Sequence, residues 1–325
     1  MIQSPANVAQ WDIRGQVEFQ FKKFESLAGC AGQGFPCLRK QSVDTLKKAN
    51  EEVILGAPHG TFAFGPTVDG DFSRQLPDLE LASGEFCDRD IHFPEKLLTT
   101  SPTGNFAKDI ESIIVTHVAD EGIAFVSDSV NDDHGFFRDA LEYTWGAEPA
   151  IISAILDKYP DPGPGSRFQT EKQRMVQYMT DQVFVCKTRY LVQAFKGRTW
   201  FGQYSRGDGR HGRDILATFY NSSKETPVSD HAFPAFAAQY EDYLLAHARA
   251  GDPSASGQPP KWPKETMGAV MSNVMDAGND GFHLIQDQVA TADACDFWME
   301  IMAAVTKGGG YTPPGGDVVR RSLQS

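Results

Sequence analysis

With 325 residues, 41% of them hydrophobic and 22% charged, the chain is long enough to bury a large core, and no break in composition divides it. A formal charge of −13 repels a phosphate backbone, which argues against nucleic acid as a partner. No apolar run is long enough to span a bilayer, and the opening MIQSPANVAQWDIRGQ lacks the basic start, apolar middle and cleavage site of a secretory signal.

Residues 17–27, VEFQFKKFESL, have helical character and stop at Gly29. The string ESLAG that follows from Glu25 is not a nucleophile elbow, because Phe24 stands where G-x-S-x-G needs glycine, and no other stretch of the chain carries that motif. Five cysteines, Cys30, Cys37, Cys87, Cys186 and Cys295, have no C-x-x-C spacing, so zinc is not expected and the choice lies between free thiols and bridges. Cys30 and Cys37 flank a glycine-rich loop that suits a small bridge. Ser42 starts a helix, SVDTLKKANEEV; residues 61–68, TFAFGPTV, read as a strand; and PDLELASGEF reads as a short helix closed by Gly84. His59, in the turn before that strand, reads as structural.

The stretch 105–126, NFAKDIESIIVTHVADEGIAFV, organises the rest. A short apolar strand, SIIVTHV, runs straight into Asp120 and Glu121, and working residues of open α/β sheets sit just past the carboxyl ends of strands. A carboxylate there either caps a following helix or orients a histidine.

Two helices follow, DHGFFRDALEYTWG and EPAIISAILDKYP, the second with Pro149 in its first turn. Thr170 caps a long helix to Phe195, whose Met175, Met179, Val183, Cys186, Tyr190 and Ala194 recur at spacings of three and four and form one buried stripe. The strand TWFGQYS then enters RGDGRHGRDILATFY, which puts His211 in a glycine-rich loop after a strand. Asn221-Ser222-Ser223 is an N-glycosylation sequon. A helix over FPAFAAQYEDYLLAHARA stops at Gly-Asp-Pro, a Pro/Ser/Gly loop reaches Trp262, and a last helix from about 292 to 305 carries Cys295 and Trp298. One domain over 1–308 and a loop-like tail over 309–325 are expected.

Taken in order, QSP, the AGC…CLR loop, FGPTVDGDF, LASGEF, the strand ending in DEG, HGRDI, AGDP…WP and ACDFW resemble the carboxylesterase type B family, the α/β-hydrolases that include cholinesterases and fungal esterases and lipases. The resemblance implies an α/β fold and a Ser-Glu-His triad whose acid falls on Glu121 and whose base falls on His211, 211 − 121 = 90 positions apart. It implies bridges Cys30–Cys37 and Cys186–Cys295, with Cys87 left over, and a secreted protein. It implies small-molecule or lipid carboxylic esters as substrates and no cofactor or metal. In that family the serine elbow and the HGG-type oxyanion loop lie upstream of the QSP-like segment, so an α/β-hydrolase fold incomplete at its N-terminus is expected, inactive as it stands. The alternative is a non-catalytic binding or adhesion relative, against which the retention of both Glu121 and His211 argues.

Overall fold

A computed structural model describes residues 1–307 except 9, 59, 71–72, 84–109, 133–134, 147 and 222–230. Its helices are α1 (Glu18–Leu27), α2 (Gly34–Leu38), α3 (Val43–Leu55), α4 (Pro77–Ser83), α5 (Phe136–Trp145), α6 (Pro149–Lys158), α7 (Glu171–Met179), α8 (Cys186–Ala194), α9 (Ile215–Thr218), α10 (Phe233–Ala250) and α11 (Ala292–Lys307). Its strands are β1 (Ile2–Gln3), β2 (Ile113–Val118), β3 (Thr199–Tyr204), β4 (Thr266–Met267), β5 (Met271–Gly278) and β6 (Gly281–Asp287). The fold class is α/β. The described residues gather into two compact units, one of Met1–Ala6, Asp78–Ala124 and Met179–Trp298, the other of Asn7–Pro77, Phe125–Tyr178 and Met299–Ser325.

The first unit holds the whole sheet, in the order β1-β2-β3-β5-β4 with β6 paired to the far side of β5. The pairs β1–β2, β2–β3 and β3–β5 are parallel, and β4 and β6 run antiparallel to β5. Every residue of β2 is buried, which explains its near-continuous apolar sequence, since a parallel strand covered on both faces has no solvent side to alternate toward. Ile114, Val118, Trp200, Tyr204 and Met275 of the sheet pack with Phe236, Tyr240, Tyr243 and Leu244 of α10, and Phe282 stacks on Phe236 at 4.9 Å. Cys186 at the start of α8 is bonded to Cys295 in α11. The long helix expected from Thr170 is present over 171–194, but a π-helical turn, Thr180–Val185, interrupts it between α7 and α8.

The sequence left β1, β5 and β6 unread. In β5, MSNVMDAG, buried and half-buried positions do not alternate, because a register shift between Met271 and Val274 breaks the period and puts Asn273 at φ 61°, a left-handed conformation asparagine tolerates.

In the second unit α1, α2 and α3 enclose Ala28, Cys30, Leu38 and Ala49, and the Cys30–Cys37 bond closes their connecting loop. Glu25 accepts the backbone N–H groups of Gly32 and Gly34, so the loop is held by one side chain as well as by the bridge. Ser42 caps α3 as expected, its hydroxyl accepting the Thr45 N–H at 3.1 Å. Phe137 and Tyr159 each meet Tyr178 edge to face, and Trp145 donates to the Tyr178 hydroxyl at 2.9 Å.

One expectation fails here. Residues 61–68 form no strand: Pro66 has no N–H to donate, and the backbone bond from Val68 to the Gln10 carbonyl at 3.1 Å is not extended into a ladder among the described residues. His59, Gly84, Cys87, the serines of the sequon and the 309–325 tail lie outside the described residues.

Candidate active site

Strand β2 ends at Val118, and parallel pairing in register with β3 sets Val118 opposite Tyr204. The pairing continues beyond both strands. Ala119 donates to the Tyr204 carbonyl at 2.9 Å, Asp120 donates to the Gly209 carbonyl at 2.9 Å, and Asp120 forms a parallel bridge with Arg210. The two loops are thus zipped together one residue short of Glu121 and one short of His211. Gly209 makes that approach possible: its φ is +57°, and a Cβ there would lie 3.1 Å from the Ala119 Cβ. The His211 loop is braced on its outer side by Arg213, whose guanidinium donates to both carboxylate oxygens of Asp208 at 2.9 and 3.0 Å.

The consequence is a contact between the two residues the sequence singled out. His211 Nδ1 lies 2.6 Å from Glu121 Oε2, with Glu121 wholly buried and the histidine side chain 31% exposed. The other carboxylate oxygen, Oε1, accepts the Val118 N–H at 3.0 Å, so the acid is tied back to the strand that delivers it. Because Nδ1 faces a carboxylate it carries the proton, which makes Nε2 the basic nitrogen of the neutral ring. The hydrogen bond to Glu121 raises the His211 pKa above the ordinary 6.5, against partial burial that lowers it. Nearby Asp214 is itself held up, chiefly by burial and by the charge of Glu121, and it accepts the Gln3 amide at 3.0 Å.

The π-helical turn also belongs to the site. Thr180 Oγ1 accepts the Gly122 N–H at 3.1 Å, which fixes the backbone just past Glu121. Phe184 of the same turn packs against the His211 ring with 4.8 Å between centroids. A π-turn widens the helix by one residue, and such turns are frequent at functional sites.

Sequence reasoning missed a second histidine. His117, on β2, is fully buried with its Nε2 3.1 Å from Asp287 Oδ2 and its Nδ1 2.8 Å from the Val118 carbonyl oxygen. Burial by itself lowers its pKa, but the charge and hydrogen bond of Asp287 more than offset that and raise it to about 9. The signal was present, a histidine inside the apolar run SIIVTHV, but its partner stands 170 positions away. Ser26 lies exposed in the last turn of α1, preceded by a π-helical turn rather than a strand, which is no place for a nucleophile elbow. No described helix is long and apolar enough to cross a membrane.

The chain is 31% identical over 322 residues to a secreted lipase of Arthroderma benhamiae, covering 96% of the chain and 56% of that protein. It is 24% identical over 268 residues to carboxylesterase patB of Penicillium expansum, covering 81% of the chain and 42% of that protein. Among solved structures it superposes on Aspergillus niger EstA with a TM-score of 0.67 at 17% identity, covering 94% of the chain and 58% of EstA. It superposes on PNB esterase with a TM-score of 0.62 at 15% identity, covering 91% of the chain and 56% of that structure. The fold is therefore that of the α/β-hydrolase esterases, and the chain spans about half the length of the relatives it matches. Residues 1–298 match the sequence profile of the Carboxylesterase family, and the chain belongs to that family.

Proposed function

We propose that the chain carries the acid and base of a serine carboxylic-ester hydrolase that works through an acyl-enzyme on small-molecule or lipid esters. The observation that carries this reading is the buried Glu121 carboxylate 2.6 Å from the His211 ring at two adjoining strand ends. In this scheme Glu121 holds Nδ1–H and stabilises the imidazolium, while Nε2 takes the proton of an attacking serine and returns it to the leaving alcohol. Relatives named as a secreted lipase and a carboxylesterase support the ester class, and two disulfides support an oxidising, extracellular setting. These 325 residues contain no G-x-S-x-G, so in this reading they supply the acid and the base but not the attacking serine, and are inactive by themselves. A wholly buried carboxylate committed to a partly exposed histidine supports this reading over that of a non-catalytic binding protein, which needs neither residue.

The test is hydrolysis of p-nitrophenyl butyrate. The bare chain is expected to be no faster than surface residues allow. Fused to an esterase segment that bears the serine elbow and an HGG-type loop, it should gain activity that rises with pH through a midpoint above 6.5, where His211 loses its proton. That activity should fall about 10⁴-fold on Glu121→Gln, which leaves the ring without its orienting charge. A bare chain that turns the ester over and loses the activity on Ser26→Ala overturns the reading, as does a fusion indifferent to Glu121→Gln and His211→Gln.

A further inference from the structure

The ring nitrogens of His117 face the Val118 carbonyl at 2.8 Å and the Asp287 carboxyl group at 3.1 Å, and with Asp287 ionised, its pKa held below 3.8 with His117 beside it, both nitrogens carry protons. Asp287 is satisfied in turn: Oδ1 accepts the Val289 N–H at 2.7 Å and Oδ2 the Ala290 N–H at 3.2 Å. The result is an imidazolium–carboxylate pair with no solvent exposure on either side chain, its ring lying 5.5 Å from that of Phe201. Such a pair is a poor way to stabilise a core, because desolvating two ions costs about what their attraction returns, and apolar residues of similar volume do as well or better. Its position offers a better reason. Val118 is held at both ends of its backbone, the C=O by His117 and the N–H by Glu121 Oε1 at 3.0 Å. Asp287, His117 and the Val118 carbonyl thus form one series of hydrogen bonds, the Val118 N–H, Glu121 and His211 form a second that ends on the base, and the Val118 backbone joins the two.

We propose that His117, clamped by Asp287, is a positioning residue for the Glu121–His211 pair: by holding the Val118 carbonyl it fixes the backbone of the residue whose N–H sets the direction of the Glu121 carboxylate. The inference rests on the reading of that pair as acid and base. Its physical content is that a carboxylate with one oxygen anchored presents the other at a fixed angle, and a hydrogen bond of 2.6 Å tolerates little rotation. The charged groups that bear on the device are Asp287 and Glu121 around His117, Asp214 and Glu121 around His211, and Arg189 beyond Asp287.

The experiment follows the ring nitrogens of His211 by ¹⁵N NMR across a pH titration of the full chain. The double variant His117→Gln/Asp287→Asn removes the ionic pair while leaving amides able to hydrogen-bond, and in it the His211 midpoint should fall toward 6.5 as its partner loosens. A role confined to charge or packing predicts the opposite or nothing: deleting a nearby cation leaves the midpoint in place or raises it, and either result overturns the proposal. Glu121→Gln serves as the control. If it lowers the midpoint and the double variant does not, this inference fails and the pair stands; if Glu121→Gln leaves the midpoint unmoved, the pair itself is misread. The wild-type chain gives a second check without any substitution. The His211 nitrogens should show a second inflection where His117 titrates, and a single inflection overturns the proposal.

Discussion

At the scale of single residues, the fully buried ion pair of His117 and Asp287 ties stability to pH in a direction that can be worked out. The His117 pKa is raised from 6.5 to about 9, so its contribution is complete below pH 6.5 and is lost as pH rises toward 9. Burial pushes the Asp287 pKa up, but the charge and hydrogen bond of His117 and the Val289 and Ala290 N–H groups together lower it from 3.8, so its contribution is present above 3.8 and is lost as pH falls below that. Comparing the wild-type chain with His117→Gln/Asp287→Asn cancels most other titrations. The difference in unfolding free energy should be largest between pH 3.8 and 6.5 and should shrink by on the order of 3 kcal/mol by pH 9, read by denaturant titration at each pH. A difference flat across that range would mean that the ring is neutral in the folded state.

Among the elements, β3 is the one on which the site depends most, since its register with β2 carries the pairing on to Gly209 and Arg210. Gly202 at its centre is there for space. A Cβ would sit 2.9 Å from the Trp262 ring and 3.1 Å from the Thr116 methyl, and Trp262 is locked above it by a bond from its indole N–H to the Phe201 carbonyl at 3.1 Å. Gly202→Ala should therefore destabilise by about 1–3 kcal/mol, the usual cost of forcing a methyl into a packed interior. Thermal unfolding by circular dichroism measures it, and an unchanged melting temperature would show that Trp262 can yield.

For the molecule as a whole, the two disulfides differ most in the length of chain they close. Cys30–Cys37 spans 7 positions within the second unit, and Cys186–Cys295 spans 109 within the first. On the chain-entropy account the short bridge contributes about 2.5 kcal/mol and the long one about 4.8 kcal/mol. Cys186→Ala/Cys295→Ala should thus lower the denaturation midpoint more than Cys30→Ala/Cys37→Ala, measured for both variants in the same denaturant. Equal losses would place the stabilisation in native packing rather than in the unfolded chain.

Much of this was written locally. Helices α1, α3, α5, α6, α10 and α11 follow from apolar spacing, from Ser42 at a cap and Pro149 in a first turn, because a helix satisfies its own backbone and so depends mainly on its own residues. The strand SIIVTHV and the carboxylate just after it were legible for the same reason, and the order of motifs carried Glu121 and His211 into one family pattern. What the sequence could not decide is whatever a strand or a charge receives from elsewhere. TFAFGPTV has the composition of a strand but pairs with no strand among the described residues, whereas MSNVMDAG looks irregular and becomes one because β3, β4 and β6 supply its partners. The protonation of His117 belongs to the same class: a buried histidine is ordinarily neutral, and this one is held charged by an aspartate that only the tertiary fold brings within 3.1 Å.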